Sequence, residues 1–233
     1  MIKPSSLIAS FFPPTCLLCG APGAAGLDLC AGCAAELPWN RHCCARCALP
    51  FDGAGLDGAL CGACQRRAPP YERCITTLRY ATPVPTLVGA AKFRGRLNAA
   101  RLLGQLLARS VRVAGEPMPE VLIPVPLHRA RLAERGYNQA LEIARVLSRE
   151  LALPVDHRCC ERSMATLPQA GLDEGARRRN IRGAFSAPTP LGWRHLAVVD
   201  DVVTTGSTVE ELARVLRRAG AARIEVWAVA RTP

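Results

Sequence analysis

The stretch Leu196-Ala-Val-Val-Asp-Asp-Val-Val-Thr-Thr-Gly-Ser-Thr208 constrains the fold more than any other part of this chain. Leu196 to Val199 form an apolar run, rich in β-branched residues and too short for a helix, which reads as a strand buried on both faces. Asp200 and Asp201 follow. Thr204-Thr205-Gly206-Ser207-Thr208 then runs into Val209-Glu-Glu-Leu-Ala-Arg-Val-Leu216, whose apolar spacing is helical. A strand, a tight loop and a helix start make an anion site. The first N–H groups of a helix lack intrahelical partners, its dipole adds positive potential, and Gly206 lets backbone approach a ligand. The hydroxyls of Thr204, Thr205, Ser207 and Thr208 suit a phosphate monoester. The stretch has no Gly-Lys-Ser/Thr for a nucleoside triphosphate and no Gly-x-Gly-x-x-Gly for a dinucleotide.

Two carboxylates beside a phosphate cradle would repel the anion, so they should face another part of the ligand. A vicinal diol donates well to them, and carboxylates also suit a bridging magnesium ion. Phosphate and neighbouring diol together describe a ribose 5-phosphate. Val198 to Thr208 resembles the phosphoribosyl pyrophosphate (PRPP) motif of the type I phosphoribosyltransferases. The resemblance implies that Asp200 and Asp201 take the ribose hydroxyls. It assigns the 5′-phosphate to Thr204, Thr205, Gly206, Ser207 and Thr208, with Mg2+ accompanying PRPP.

The N-terminal part is organised by cysteines. Four Cys-x-x-Cys pairs occur, at Cys16/Cys19, Cys30/Cys33, Cys44/Cys47 and Cys61/Cys64. Each is a knuckle that sets two thiolates on one side of the backbone, and two knuckles complete a tetrahedral site for Zn2+. Sequential pairing gives one ion from the first two knuckles and another from the last two; an interleaved pairing is the alternative. Cys43 competes with Cys44, and the spacing to Cys47 favours Cys44. The segment resembles a double zinc ribbon. With little apolar content of its own it should need metal to fold. No basic or aromatic face accompanies the knuckles, so a structural clip is favoured over a nucleic-acid reader. Four thiolates leave no open position for catalysis.

A chain of 233 residues allows one or two domains. Its net charge of +11 is uneven: six basic against five acidic residues up to position 75, then 24 against 14. The excess lies with the phosphate motif, where it could attract a polyphosphate or a nucleic acid. Lys3 and Lys92 are the only lysines. The N-terminus lacks a secretory apolar run and no stretch approaches a membrane span, so a cytoplasmic protein is expected, in which twelve cysteines signal metal rather than disulfides.

Pro69-Pro70 reads as the boundary between a zinc ribbon at 1–70 and an α/β domain at 71–233. The second part should contain strands at Cys74–Tyr80, Val121–Pro126, within Leu153–Arg162, and at Arg223–Ala230. Helices are expected at Leu87–Arg94, Leu97–Val113 and Asn138–Leu151. Lys92 is either a phosphate ligand or a solvated helix end. The loop Leu127 to Gln139 is arginine-rich and lies where type I phosphoribosyltransferases bind pyrophosphate.

Pro124-Val-Pro-Leu-His-Arg129 followed by Arg135-Gly-Tyr-Asn-Gln139 resembles more narrowly the ComF family of competence-related phosphoribosyltransferase-like proteins, to which the zinc ribbon also corresponds. The resemblance implies a pyrophosphate loop of Val125, Pro126, Leu127, His128, Arg129 and Arg135; of the two roles open to His128, a loop-fixing one is favoured over a catalytic base. It implies a flap over the site that includes Gln169, Arg177 and Arg178. Cys74, Cys159 and Cys160 lie outside the knuckles and read as buried thiols. The fold class is therefore α/β: a type I phosphoribosyltransferase-like, doubly wound, mostly parallel sheet preceded by a small Cys-rich zinc-ribbon domain.

The implied function is PRPP binding with phosphoribosyl transfer and pyrophosphate release, to an acceptor that no residue identifies. The alternative is a PRPP-responsive accessory protein that binds single-stranded DNA during natural transformation without turnover, in contact with other competence proteins. Scarce aromatics argue against a stacking platform for such a strand.

Overall fold

The computed structural model describes residues 13–53, 58–93, 96–115, 117–164 and 179–233. Two short helices, α1 (Ala31–Glu36) and α2 (Gly62–Arg66), belong to the cysteine-rich segment. Then follow β1 (Arg73–Arg79), α3 (Val84–Phe93), α4 (Leu97–Ala114), β2 (Val121–Pro124), α5 (Arg129–Arg135) and α6 (Gln139–Leu151). The chain closes with β3 (Glu161–Arg162), β4 (Phe185–Ser186), β5 (His195–Val203), α7 (Ser207–Arg218) and β6 (Arg223–Arg231).

β1, β6, β5 and β2 pair in that order, all parallel. Val121–Pro124 runs beside Leu196–Val199, and β5 lies against β6 from His195↔Arg223 to Val203↔Arg231. The short strand expected within Leu153–Arg162 is β3 at Glu161–Arg162, and Val155 adds one parallel bridge to Leu122, flanking β2. Pro154 has no N–H to extend that ladder. β3 and β4 form a separate antiparallel ribbon, so the mostly parallel sheet is wholly parallel at its centre.

Burial on both faces explains why these strands are not alternating in sequence. Leu122, Ala197, Val199, Trp227 and Val229 pack into one core with Leu102, Leu106 and Leu107 of α4 and Ile143 and Leu147 of α6. Val121, Ile123, Leu196, Val198, Ile224 and Val226 face the other way, onto Val209, Leu212 and Leu216 of α7. α4 and α6 approach closely at Gly104, where an added Cβ would meet Val146 Cβ at 2.7 Å.

The cysteine-rich segment has no core to itself. Leu27, Leu29 and Leu37 join the cluster built by α4. Trp39 makes an antiparallel bridge to Leu78, Asn40 N donates to Thr77 O (3.0 Å) and Arg79 N donates to Pro38 O (2.8 Å). Residues 38–40 thus cover the open edge of β1, satisfying polar groups that an edge strand would leave exposed. Chain on both sides of Pro69-Pro70 shares one apolar interior. Among the described residues no helix is long and apolar enough to cross a membrane.

Candidate functional site

The four knuckles close into two clusters, Cys16/Cys19/Cys30/Cys33 and Cys44/Cys47/Cys61/Cys64, each with all sulfurs within 4.8 Å of one another. Pairing is therefore sequential and excludes Cys43, which bridges to Pro50 beside the second cluster. A zinc ion with bonds of about 2.3 Å holds tetrahedral sulfurs about 3.8 Å apart. Cys19 Sγ to Cys30 Sγ at 3.7 Å and Cys47 Sγ to Cys61 Sγ at 3.6 Å fit that geometry. Amide N–H groups of Cys33 and Cys61 point at Cys30 Sγ (3.4 Å) and Cys44 Sγ (3.3 Å), which stabilises thiolate charge. Both clusters suit structural zinc.

Strand β5 runs further than its apolar run, through Asp200 and Asp201 to Val203. The acids are thus the carboxyl end of a central strand, not the start of the loop. They are 9% and 5% exposed. The turn follows at Thr204, and Gly206 takes φ +84° as the N-cap of α7, a conformation that favours glycine. Helix α7 begins at Ser207, two residues before the apolar pattern that announces it. Thr205 Oγ1 and Ser207 Oγ share a hydrogen bond of 2.8 Å, and Ser207 N donates to Thr205 Oγ1 at 3.4 Å. Hydroxyls and first-turn amides so converge at one helix end.

Lys92, near the end of α3, is not a solvated helix end, since its side chain is 24% exposed. Its Nζ lies 2.7 Å from Asp201 Oδ2, a close ion pair without the alignment of a hydrogen bond. Burial alone would depress the Lys92 ammonium; the charges of Asp201 and Asp200 overcome that and raise it. Burial, then the Asp201 carboxylate, push Asp200 well above the ordinary carboxylate range, against the Asp201 amide and Lys92. Asp201 N donates to Asp200 Oδ1 at 2.9 Å. Both acids therefore act on the Lys92 ammonium.

The loop after β2 abuts the acids, since Val125 N donates to Val199 O (2.9 Å) and Asn138 Nδ2 to Val125 O (3.0 Å). Val125 is buried, Pro126 and Leu127 are half-buried, and Arg129 is exposed. What reads as a continuous loop contains the short helix α5, with His128 as its N-cap accepting from Ala130 N through Nδ1 (3.3 Å). Arg135 Nη1 donates to Gln139 Oε1 (3.2 Å) at the start of α6. Arg162, on β3, stacks over Phe185 (5.7 Å), and burial and Arg131 depress its guanidinium while Asp200 opposes them. The implied flap residues Gln169, Arg177 and Arg178 fall outside the described residues, as does Arg94. Cys74, Cys159 and Cys160 are buried thiols outside both clusters.

Two roles in this region were not read from the sequence. Lys92 could have been flagged as the acids' counter-ion because it is the one lysine of the α/β part. Arg231, at the end of β6, spans from Val203 O (3.1 Å) beside the loop to Cys47 O (3.2 Å) beside the second cluster. No local pattern marks it.

A family model described as "Double zinc ribbon domain" matches residues 7–65. "DNA utilization protein YhgH" of Escherichia coli O157:H7 is 38% identical over 225 residues, 94% of this chain and 98% of that protein. "Competence protein F" of Haemophilus influenzae is 34% identical over 235 residues, 95% of this chain and 99% of that one. Among solved structures, the Bacillus subtilis glutamine PRPP amidotransferase with ADP and GMP aligns at TM-score 0.40 and 18% identity. It covers 59% of this chain and 30% of its own. TT1426 from Thermus thermophilus aligns at TM-score 0.35 and 18% identity, over 57% and 83%. Superpositions this loose add no weight to the full-length relatives. Identity above one third along almost all of two curated proteins makes this chain a member of the ComF family, a double zinc ribbon joined to a phosphoribosyltransferase-like α/β fold.

Proposed function

We propose that the chain binds PRPP with magnesium at the carboxyl end of β5 and transfers its phosphoribosyl group with release of pyrophosphate. One observation carries this: a single strand delivers Asp200 and Asp201 and, three residues later, the hydroxyl-lined turn that opens α7. The ribose hydroxyls donate to the acids, and Lys92 stays beside Asp201 as its counter-charge. The 5′-phosphate replaces the mutual Thr205–Ser207 hydrogen bond with bonds from both hydroxyls and from Thr204 to Thr208. Pyrophosphate meets the 125–135 segment with Arg129 and Arg135, and Gln169, Arg177 and Arg178 belong to the cover. The acid pair is no ready cation cage, since Asp201 is engaged with Lys92; magnesium would ride on ligand oxygens and supply charge neutralisation to the leaving group. Arginines on this segment favour the charge separation of an oxocarbenium-like transition state.

The names of the relatives, DNA utilization and competence, support placing this chemistry in the use of incoming DNA. Reduced zinc thiolates and a PRPP ligand support the cytoplasm as its place. Calorimetry of zinc-loaded protein with PRPP and magnesium tests the site: one mole should bind per chain, and the double substitution Asp200→Asn, Asp201→Asn should weaken it at least tenfold. No binding by the wild type would remove the proposal. Binding without pyrophosphate release across a panel of bases and amines would leave a PRPP-responsive accessory protein instead, to be assayed on single-stranded DNA.

A further inference from the structure

The second cysteine cluster and the turn after β5 line one cavity of about 650 Å3, the cluster through Cys47, Cys61 and Cys64 and the turn through Thr204, Thr205 and Gly206. Arg231, at the end of β6 and 7% exposed, stands in the same lining. Its guanidinium joins the two: Nε donates to Cys47 O (3.2 Å), and Nη1 to Val203 O (3.1 Å) and Thr232 O (3.3 Å). Cys47 belongs to the third knuckle, with its Sγ 3.6 Å from Cys61 Sγ. Val203 is the last residue of β5 before the turn, and its carbonyl also accepts from Thr232 N (3.1 Å). The guanidinium is fully oriented by carbonyls, which makes it a brace between metal site and turn.

The first cluster is placed differently. Its segment is held to α4, where Arg101 pairs with Asp28 and Arg109 Nη2 donates to Ala25 O (3.3 Å). Among the described residues no hydrogen bond joins that segment to the turn. The difference matters because a Cys-x-x-Cys knuckle takes its shape from its metal. The Cys47 carbonyl is aimed at Arg231 while Cys44 and Cys47 share an ion with Cys61 and Cys64. Once the knuckle is released, that carbonyl moves off the guanidinium. A buried guanidinium that loses an acceptor turns toward water or another oxygen, and in turning it gives up Val203 O.

We propose that Arg231 is a positioning residue that couples the second zinc site to the phosphate turn, so that the order of Thr204–Thr208, and with it ligand affinity, depends on the metal held by Cys44, Cys47, Cys61 and Cys64 and not on the metal of the first cluster. The affinity half rests on Thr204–Thr208 holding the 5′-phosphate; the coupling of metal site to turn does not. Coupling of this kind is reciprocal: a ligand that orders the turn strengthens the hold of the second cluster on its ion. The two clusters, alike in sequence, then differ in role. Cys16, Cys19, Cys30 and Cys33 fasten the ribbon to α4, and the other four thiolates set the geometry of the binding site.

The test is amide hydrogen exchange over residues 200–212 of the full chain. It compares zinc-loaded wild type with Cys44→Ser, which empties the second site, Cys19→Ser, which empties the first, and Arg231→Met, which keeps both ions. Exchange there should be roughly tenfold faster in Cys44→Ser and in Arg231→Met, the worth of about one hydrogen bond to a charged group. Cys19→Ser should match wild type over 200–212. Wild-type exchange in Arg231→Met, or equal loosening in both cysteine variants, overturns the coupling; should Cys44→Ser fail to fold, Arg231→Met still gives the answer. Zinc release to a chelator adds a readout that a merely structural brace would not move. PRPP should slow the release of one of the two ions several-fold, and Arg231→Met should abolish that effect. If PRPP binds and slows neither ion, the coupling is overturned while the proposed function stands. If wild type binds no PRPP, the proposed function falls and the exchange comparison alone upholds or overturns the coupling.

Discussion

Replacing Lys92 by methionine leaves Asp200 and Asp201 buried beside each other without the ammonium that pairs with Asp201. At 2.7 Å the Lys92–Asp201 attraction is ~6 kcal/mol for an effective dielectric near 20. The desolvation of both groups offsets most of it, and breaking a fully buried pair costs about 3–5 kcal/mol. The Lys92 side chain is 24% exposed, so water screens part of the field. The net loss should be about 2–3 kcal/mol near pH 8. The pH sense follows from protonation. Asp200 already sits above its unfolded value, so the folded chain binds the extra proton and stability falls as pH rises through the folded pKa. Without Lys92 that pKa climbs further. The deficit against wild type should therefore shrink as pH is lowered, because a proton replaces the missing ammonium. In the wild type Lys92 is raised, so its contribution is complete below the unfolded lysine pKa and is lost only as pH climbs through the higher folded value, above pH ~10. Urea unfolding of zinc-saturated wild type, Lys92→Met, Asp201→Asn and the double variant, each at pH 6 and pH 8, measures this. The double variant should recover most of the lost stability. A loss below about 0.5 kcal/mol, a deficit that grows toward acid, or additive single effects would refute the assignment.

Zinc content separates the neighbouring thiols: Cys43→Ser should retain two ions per chain by elemental analysis and Cys44→Ser one, because only Cys44 lies in a cluster. Gly104→Ala should destabilise by about 1–3 kcal/mol in thermal unfolding, since its Cβ would lie 2.7 Å from Val146 Cβ, and Val146→Ala should restore much of the loss. Gly206→Ala should cost about 1–2 kcal/mol and weaken PRPP binding; the nearest contact of the new Cβ is 3.7 Å away, so backbone strain at φ +84° is the cause.

The elements that were legible are those whose signal is local. Val198 to Thr208 names strand, turn and helix in one breath, and four Cys-x-x-Cys spacings announce two four-thiolate sites. Boundaries were less so. β5 extends past Val199 because β6 continues to pair with it as far as Arg231, whatever the polarity of Asp200 and Asp201. The Leu127–Gln139 loop conceals α5 because a seven-residue helix capped by His128 and ended at Gly136 shows barely two turns of periodicity. Within Leu153–Arg162 the short strand is β3, while the residues beside β2 add only one bridge, because Pro154 interrupts pairing there.

Short-range chemistry in the sequence determined a buried strand feeding a phosphate-type turn, a pair of acids before it, and thiolate knuckles at metal-binding spacing, since each depends on residues within a dozen positions. Only the tertiary structure decided what compensates these groups. Lys92 meets Asp201 across more than a hundred residues, residues 38–40 seal the edge of β1, and Arg231 links Val203 to Cys47. Charge and edge pairing act through space, and no period in a chain records which distant segment will arrive beside them.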